Sequence, residues 1–554
     1  MHPPFRPWRI TFTLYEFVAY GGEKSIKTEI RYRLERKSAQ LVKQANREYK
    51  AAELEASVRE RWKAGRAYEL SKAHRAGGEN YYFIDGPPYT TGSIHLGTAW
   101  NKTLKDVVIR HLRMKGFNVR DQPGYDMHGL PIEVKVEKAL GIRNKKEIET
   151  FGMDRFVSKC REFAISNLAN MTREFRDLGV WMDWERPYTT ITNSYIEAAW
   201  WTLKRAADKD LLTRFERSTT WCPRCQTALA EAEVEYWDEE DPSIYVRFRA
   251  ADADEYFLVW TTTPWTLPAD LAVTLHPDFT YVRAKATREG KSETLIFVKD
   301  RLEDIRKVGG YDTIEVISGV PGSELEGRPY IHPLLEEVPW HRDREEYWVH
   351  KVLVDADMVT NENTGCVHTA PGHGPADFDI GKRYDLPPFC PVDGSGHFNA
   401  EAGKYAGMEL KAANAVILED LRTKGLLLSA GTISHRYGHC WRCDTPIIYI
   451  ITLQWYLRIT AVKDRMLSEV ARVRWYPPWA GASRQKDWVE GARDWCISRQ
   501  RYWGIPLPIW ECGQGHRRVV GRVSELGEGT GYSEDMDLHR PWIDAITFKC
   551  RECG

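Results

Sequence analysis

Two pairs of cysteines have the types and spacing to do chemistry: Cys222-Pro-Arg-Cys225 and Cys440-Trp-Arg-Cys443. A two-residue gap lets both thiolates of a pair face one ion, so the pairs together make a tetrahedral four-sulfur zinc site with Zn–S distances of about 2.3 Å. Unrelated turn cysteines and a redox pair are the alternatives, but neither pair has the setting of a thioredoxin-like helix start. Near the end of the chain Cys512, His516, Cys550 and Cys553 offer a second zinc ribbon, one half CxxxH and the other CxxC. Neither ligand set leaves an open position for water, so both sites read as structural. A third candidate is His95-Leu-Gly-Thr98, placed where a loop enters a helix. There, unpaired N–H groups and the positive helix end attract phosphate, and Gly97 allows a ligand to approach closely. Taken alone, His95 reads more readily as a helix cap than as a ligand.

The elements that must position these residues follow from the pattern around them. Tyr81 to Ile84 form a β-prone run that stops at Asp85-Gly86-Pro87-Pro88, and a helical pattern runs from His95 to about Met114. A second strand-like piece, Phe117 to Val119, leads to the loop Gly124 to Pro131. Strand, tight loop, helix and strand begin an α/β sheet, whose ligands sit at the carboxyl ends of its strands. Upstream, 40–77 reads as a helical segment, while 1–39 shows no clean period and stays unassigned. Helical patterns dominate 150–212, and short β-prone runs separated by Gly/Pro turns fill 245–425. Each end of that stretch is marked by a cysteine pair, so it reads as a separately folded insert whose roots one zinc would clip together. The α/β text resumes after 443, with a helix expected near 456–472. The chain therefore divides into 1–39, 40–77, 78–244, 245–425 and 426–554.

Composition narrows the class. Lys plus Arg total 78 against 79 Asp plus Glu, so nucleic-acid binding must come from a local basic face and not from the global field. No run approaches the roughly 18 apolar residues of a membrane span. The start of the chain shows no convincing cleavage pattern, and six of 11 cysteines fall in CxxC pairs. A cytoplasmic protein with metal thiolates is the reading.

The ordered motifs DGPPYTTGSIHLGT, GYDMHGLPIE, WCPRC, WTTTPWTLPAD, GCVHTAPGHG and DWCISRQRYWG resemble those of the class I aminoacyl-tRNA synthetases for branched aliphatic amino acids, most closely the isoleucyl-tRNA synthetase family. The likeness runs from about residue 42 to 554. It implies a Rossmann-like catalytic core interrupted by a β-rich editing domain, with zinc-binding knuckles. It also implies isoleucine, ATP with Mg2+ and tRNA(Ile) as substrates, and a monomer. His95, Gly97 and Thr98 then match the family's ATP-binding HIGH signature, with Thr98 replacing the final histidine and so removing one donor to the α-phosphate. By the same likeness Gly86 and Pro87 border the amino-acid pocket, Asp126 holds the substrate ammonium, and Trp455 and Trp495 are its aromatic walls. Core packing is the plain alternative for each tryptophan. Chemistry of this kind, carboxylate attack on the α-phosphorus, rests on alignment and charge stabilisation.

A pocket built for isoleucine cannot strongly exclude valine, because one methylene is worth only about 1 to 3 kcal/mol. The insert resembles the family's second, hydrolytic site. There Thr261, Thr262 and Thr263 would position a water or the terminal ribose, His368 would lie near the terminal adenosine, and Asp377 would fix the substrate ammonium. Asp270 falls where many family members have Asn. No protein general base is evident, so the expected nucleophile is a positioned water helped by a tRNA ribose hydroxyl. A metal cluster at His368, His373 and Asp377 is the alternative.

The family's lysine-rich KMSKS loop does not occur in these 554 residues. The expectation is a truncated chain with weak amino-acid activation and a competent editing insert. Competing readings are a valyl-tRNA synthetase, which SRQRYWG with HTAPGHG disfavours, a zinc-stabilised RNA-binding module, and a deacylase acting only through the insert.

Overall fold

The computed structural model describes residues 48–554 apart from 343 and 345, so the segment 1–39 and the start of the 40–77 segment lie outside the described residues. Two units separate after Gly77. In the first, the Ala-, Glu- and Lys-rich text forms two helices, Ala51–Ala64 and Ala67–His74. The break is local, because Arg66 takes a left-handed φ of 48° that a right-handed helix cannot contain.

The second unit opens with strand Asn80–Tyr82, which pairs in parallel with Asn118–Arg120 while helix Leu96–Met114 makes the crossover between them. The first strand ends at Tyr82, short of the expected Ile84, although the Phe83 N–H still donates to Arg120 O at 3.2 Å. A second short parallel pair joins Gly124–Tyr125 to Tyr188–Thr189. Beneath these strands Tyr125, Met127, Ile132, Phe156, Phe175 and Trp503 form one buried cluster. Helices Leu130–Leu140 and Met153–Asp177 supply much of it.

The strand before the insert, Leu212–Cys222, pairs antiparallel with the strand after it, Ile448–Leu457, through ten residue pairs. This pairing corrects the expected helix at 456–472. The β-branched and aromatic run stays in the ladder through Leu457, and the α-helix occupies only Lys463–Arg472. From the cysteine pairs a long antiparallel ribbon, Val234–Ala250 with Leu427–Cys440, rises into the insert. The limit 245 falls inside this ribbon, and 425 lies two residues before its second strand begins. Ile244, Val246, Phe248 and Ala250 alternate inward along it, the period-2 pattern of a half-buried strand.

The ribbon belongs to a seven-stranded sheet, which packs with a three-stranded sheet of Lys351–Val354, Ala272–Leu275 and Cys366–Thr369. One large cluster including Phe248, Phe257, Leu267, Val273, Leu353 and Ile417 fills the space between the layers. The architecture is thus mixed α/β with a β-rich sheet domain. Among the described residues no helix is long and apolar enough to cross a membrane.

Candidate functional site

Asp85 organises the first loop. Its side chain is fully buried, and its carboxylate receives Lys105 Nζ at 2.6 Å, Lys102 Nζ, and the Gly124 N–H at 3.0 Å. Lys102 and Lys105 are three apart on helix Leu96–Met114, so they share one face. Burial pushes the Lys102 ammonium down, and the Asp85 carboxylate opposes that shift. Lys105 also donates to the Gly86 carbonyl at 3.0 Å, which fixes the start of the Gly86-Pro87 turn. Tyr188 donates its hydroxyl to the Asp85 carbonyl at 2.5 Å. Its ring occupies the space a Cβ at Gly124 would need.

Beyond that turn the two loops zip together. Asp126 N–H donates to Pro88 O at 2.9 Å, and Thr90 N–H donates to Asp126 O at 3.1 Å. The resulting parallel bridge sets Tyr89 beside Asp126. Burial pushes the half-buried Asp126 carboxyl up, against the His128 N–H and Tyr89. Burial first, and then the charge of Asp126, push the Tyr89 phenol up to about 12. Trp503 clamps the far side of the loop, its indole N–H donating to Met127 O at 2.7 Å while its carbonyl accepts the Gly129 N–H at 2.9 Å. His539 stacks on Trp503 with ring centres 4.6 Å apart and meets His128 Nε2 at 2.7 Å.

His95 is indeed the cap of helix Leu96–Met114, with Nδ1 accepting the Gly97 N–H at 3.1 Å. A neutral ring whose Nδ1 accepts carries its proton on Nε2, so the cap leaves a donor for an anion at the helix end. Capping and phosphate binding are therefore compatible. A Cβ on Gly97 would lie 3.0 Å from His95 Cε1, so this glycine makes room for the imidazole. Thr98 completes the cap, its hydroxyl accepting the His95 N–H at 2.9 Å and donating to His95 O at 2.8 Å.

Trp455 and Trp495 share one face of the sheet that straddles the insert. Leu457 pairs with Trp495 in the register, and Trp455 lies two residues before Leu457 on the same side. Trp495 is 53% exposed. Arg517 and Arg214 stand over the Trp455 ring at 5.0 and 5.8 Å. Among the described residues no hydrogen bond or ring contact ties either tryptophan to Asp126.

In the insert, strand Tyr256–Thr261 delivers Thr261 to the edge of strand Cys366–Thr369, where His368 sits. His368 Nε2 lies 3.1 Å from Thr266 Oγ1 and 3.5 Å from Thr261 Oγ1, and Thr263 Oγ1 is 3.3 Å from each of those hydroxyls. Asp270 is fully buried behind the imidazole, with Oδ1 3.6 Å from Nδ1 and the Tyr330 hydroxyl donating to Oδ2 at 2.5 Å. Its influence on a ligand therefore passes through His368. Asp377 accepts the Ala370 N–H at 2.9 Å, and a Cβ on Gly374 would overlap its carboxylate. Burial pushes the Asp377 carboxyl up, and His368 opposes the shift. His373 Nδ1 donates to Tyr449 O at 2.8 Å, tying the insert to the core strand. Thr262, Thr263 and Trp265 open onto a cavity of about 770 Å³ that reaches Arg224 and Tyr437.

The cysteine pairs meet. Cys222 Sγ and Cys225 Sγ lie 3.5 and 3.6 Å from Cys443 Sγ. Tetrahedral zinc at about 2.3 Å from each sulfur requires S···S edges of about 3.8 Å, so the set fits the ion. Cys512, His516, Cys550 and Cys553 gather as well, with Cys512 Sγ 3.7 Å from Cys553 Sγ and 3.6 Å from His516 Nδ1. Among the described residues these two sets are the groups of His, Cys, Asp or Glu whose donor atoms all lie within 4.8 Å of one another. His368, His373 and Asp377 do not form such a group. Arg501 connects the first set to the core, donating to Cys225 O at 3.0 Å and pairing with the buried Glu133 and Glu137.

Sequence reasoning missed Asp85, Lys102, Lys105 and Tyr188 as supports of the first loop, and Thr266, Tyr330 and Gly374 around the second site. Gly374 lay inside a quoted motif, but only the position of Asp377 shows why it must be glycine.

A mixed α/β core with a capped helix end beside a buried aspartate, interrupted by a β-rich insert, is the setting in which the comparisons fall. Residues 57–549 match the family described as tRNA synthetases class I (I, L, M and V), and the chain belongs to that family. Its curated relatives include the isoleucine–tRNA ligase of Methanothermobacter marburgensis, 55% identical over 517 residues, which are 93% of this chain and 48% of that protein. The isoleucine–tRNA ligase of Methanosarcina barkeri is 50% identical over 517 residues, again 93% of this chain and 48% of the relative. That of Archaeoglobus fulgidus is 52% identical over 508 residues, 91% of this chain and 49% of the relative. The chain thus spans about half the length of the curated relatives it matches.

Proposed function

We propose that this chain carries the amino-acid-activating and proofreading sites of an isoleucine–tRNA ligase, acting on isoleucine, ATP with Mg2+ and tRNA(Ile). The observation that carries the reading is the zipped pair of loops, which puts Asp126 next to the turn at Gly86 and Pro87 in the same chain segment that caps its helix with His95. Asp126 receives the substrate ammonium, and His95 Nε2 with the helix-end amides receives ATP phosphate. One oxygen of the amino-acid carboxylate attacks the α-phosphorus as the bond to the β-phosphate oxygen breaks, and pyrophosphate leaves. A terminal ribose hydroxyl of the tRNA then displaces AMP from the acyl carbon.

The insert hydrolyses the misacylated product. Asp377 holds the ammonium of a valyl group, and Thr262 and Thr263, at the cavity wall, hold the terminal ribose or the attacking water. A cavity of about 770 Å³ has room for an aminoacyl nucleoside. Cys222, Cys225, Cys440 and Cys443 bind one structural Zn2+, and Cys512, His516, Cys550 and Cys553 a second. Trp455 and Trp495 are the apolar walls for the aliphatic side chain, which requires Trp495 to be covered when substrate binds.

The test is to present this chain with valyl-tRNA(Ile) and isoleucyl-tRNA(Ile), and separately with isoleucine in a titration calorimeter. Preferential hydrolysis of the valyl ester and measurable isoleucine binding are expected. Equal stability of both esters together with no isoleucine binding would overturn the proposal.

A further inference from the structure

A turn of the core, where helix Leu130–Leu140 gives way to helix Lys145–Phe151, forms one wall of the cavity that opens at Thr262 and Thr263. Arg143 and Lys146 line the cavity there, and neither has a role in the scheme above. Glu147 fixes the turn by accepting the Arg143 backbone N–H and the Asn144 side-chain amide, each at 2.8 Å, while Asn144 Oδ1 accepts the Glu147 N–H at 3.1 Å. Both oxygens of that carboxylate are thus taken by neutral donors. The Arg143 and Lys146 side chains are exposed, and among the described residues neither makes a hydrogen bond or an ion pair.

The other charged side chains on the cavity wall are engaged. Lys411 pairs with Glu239 at 2.7 Å, and Asp241 meets His435 Nε2 at 3.0 Å. Glu409 caps helix Leu410–Thr423 by accepting the Ala412 N–H at 2.9 Å, and Arg224 pairs with the buried Glu137. The cavity is therefore electrically divided. Glu239 and Asp241 stand on the ribbon strand Val234–Ala250, and two cations without a counter-ion stand on the core turn. An anion that enters is repelled by the ribbon side and held by the turn.

We propose that Arg143 and Lys146 bind the phosphodiester of the terminal nucleotide of an RNA whose acyl ester lies at Thr262 and Thr263. The inference rests on the reading of the insert as the hydrolytic site. In an aminoacylated RNA the ester and the last phosphodiester are carried by one ribose, so a cavity that takes the ester must also take or expel that phosphate. Arginine can bind phosphate through two parallel N–H donors, and lysine adds a point charge beside it. Such a contact positions the strand without reading its bases. The core turn then contributes to the insert's reaction, and the RNA end is held between the two parts of the chain during hydrolysis.

Deacylation of two esters tests this: valyl-adenosine, which has no phosphate, and the valyl ester of the dinucleotide CpA, which has one phosphodiester. The double variant Arg143→Gln, Lys146→Gln is expected to raise KM for the dinucleotide ester about threefold or more with kcat unchanged, and to leave valyl-adenosine within about twofold in both. In the wild-type chain the logarithm of KM for the dinucleotide ester should climb with the logarithm of salt concentration about 0.7 more steeply than for valyl-adenosine, and the double variant should lose that difference. Arg143→Lys, which keeps the charge, should retain most of the effect of the phosphate. An unchanged KM for the dinucleotide ester in the double variant overturns the proposal. Equal losses for both esters also overturn it, because they assign the two cations to the fold or to the ester. A loss confined to valyl-tRNA(Ile), with the dinucleotide ester unaffected, places the contact elsewhere on the RNA and overturns it as well. If the wild-type chain hydrolyses neither small ester nor valyl-tRNA(Ile), the underlying reading of the insert fails, and the phosphate assignment falls with it.

Discussion

Arg501 donates to the carbonyl of Cys225 at 3.0 Å while its guanidinium pairs with Glu133 and Glu137 on helix Leu130–Leu140. One side chain from the segment after the insert thus holds together a cysteine turn from before it and the helix that follows the Asp126 loop. Glu133 also accepts the backbone N–H groups of Tyr502 at 2.9 Å and Trp503 at 2.5 Å. All three charges are removed from water, so breaking the set strands a carboxylate. Arg501→Met is expected to destabilise the chain by about 3 to 5 kcal/mol, read as a lower midpoint in urea unfolding. Adding Glu133→Gln should recover part of that loss. A change under about 0.5 kcal/mol would show that solvent reaches the site.

Metal analysis should find two equivalents of zinc per chain. Cys443→Ser should remove one equivalent and Cys550→Ser the other, independently, because the two sets share no ligand. Loss of both ions from either single variant would show that the sites fold as one.

At His95 the cap and the proposed ligand donor can be separated. His95→Asn keeps an acceptor for the Gly97 N–H but loses the Nε2 donor, whereas His95→Ala loses both. Thermal unfolding should show a cost of about 0.5 to 2 kcal/mol for the alanine variant and little for asparagine. ATP affinity, measured by competition with a fluorescent nucleotide, should fall in both. Retained affinity in the asparagine variant would confine His95 to the cap.

In the insert, Asp377→Ala should abolish hydrolysis of valyl-tRNA(Ile). Gly374→Ala should do nearly the same without touching a charge, because the added Cβ displaces the Asp377 carboxylate. Wild-type hydrolysis by the Gly374 variant would mean that Asp377 can move without consequence and is not the ammonium anchor.

The insert should also lose stability in acid. Burial holds His332 well below its ordinary value, pushes His341 and His373 down from 6.5 to about 4, and pushes His350 down to about 3. His332 and His341 stack with ring centres 3.7 Å apart, and His341 meets His350 at 3.1 Å. Arg344 and Lys424 add positive charge nearby. Folded values lie below unfolded ones, so the fold binds fewer protons in that window. Stability that is fully present above about pH 6.5 is therefore lost as pH falls toward 4. A steady drop in melting temperature from about pH 7.5 to about pH 4.5 is expected, and a flat profile would mean that these rings are not held neutral.

The sequence by itself determined the family, and its cysteine spacing already pointed to the two donor sets that gather in the structure. Cysteine spacing is a covalent fact, and the turn at Gly86 and Pro87 and the cap at His95 form within a few positions, so these local features were legible in order along the chain. The strand Ile448–Leu457 was not readable to its end, because its ladders to Leu212–Cys222 and to Trp495–Cys496 keep Trp455 to Leu457 extended. Tertiary structure alone decided that Asp270 stands behind His368 and that Arg442 meets Tyr89 across more than three hundred residues of chain. Those relationships depend on which faces of distant segments are buried together, and no local pattern of residue types records that.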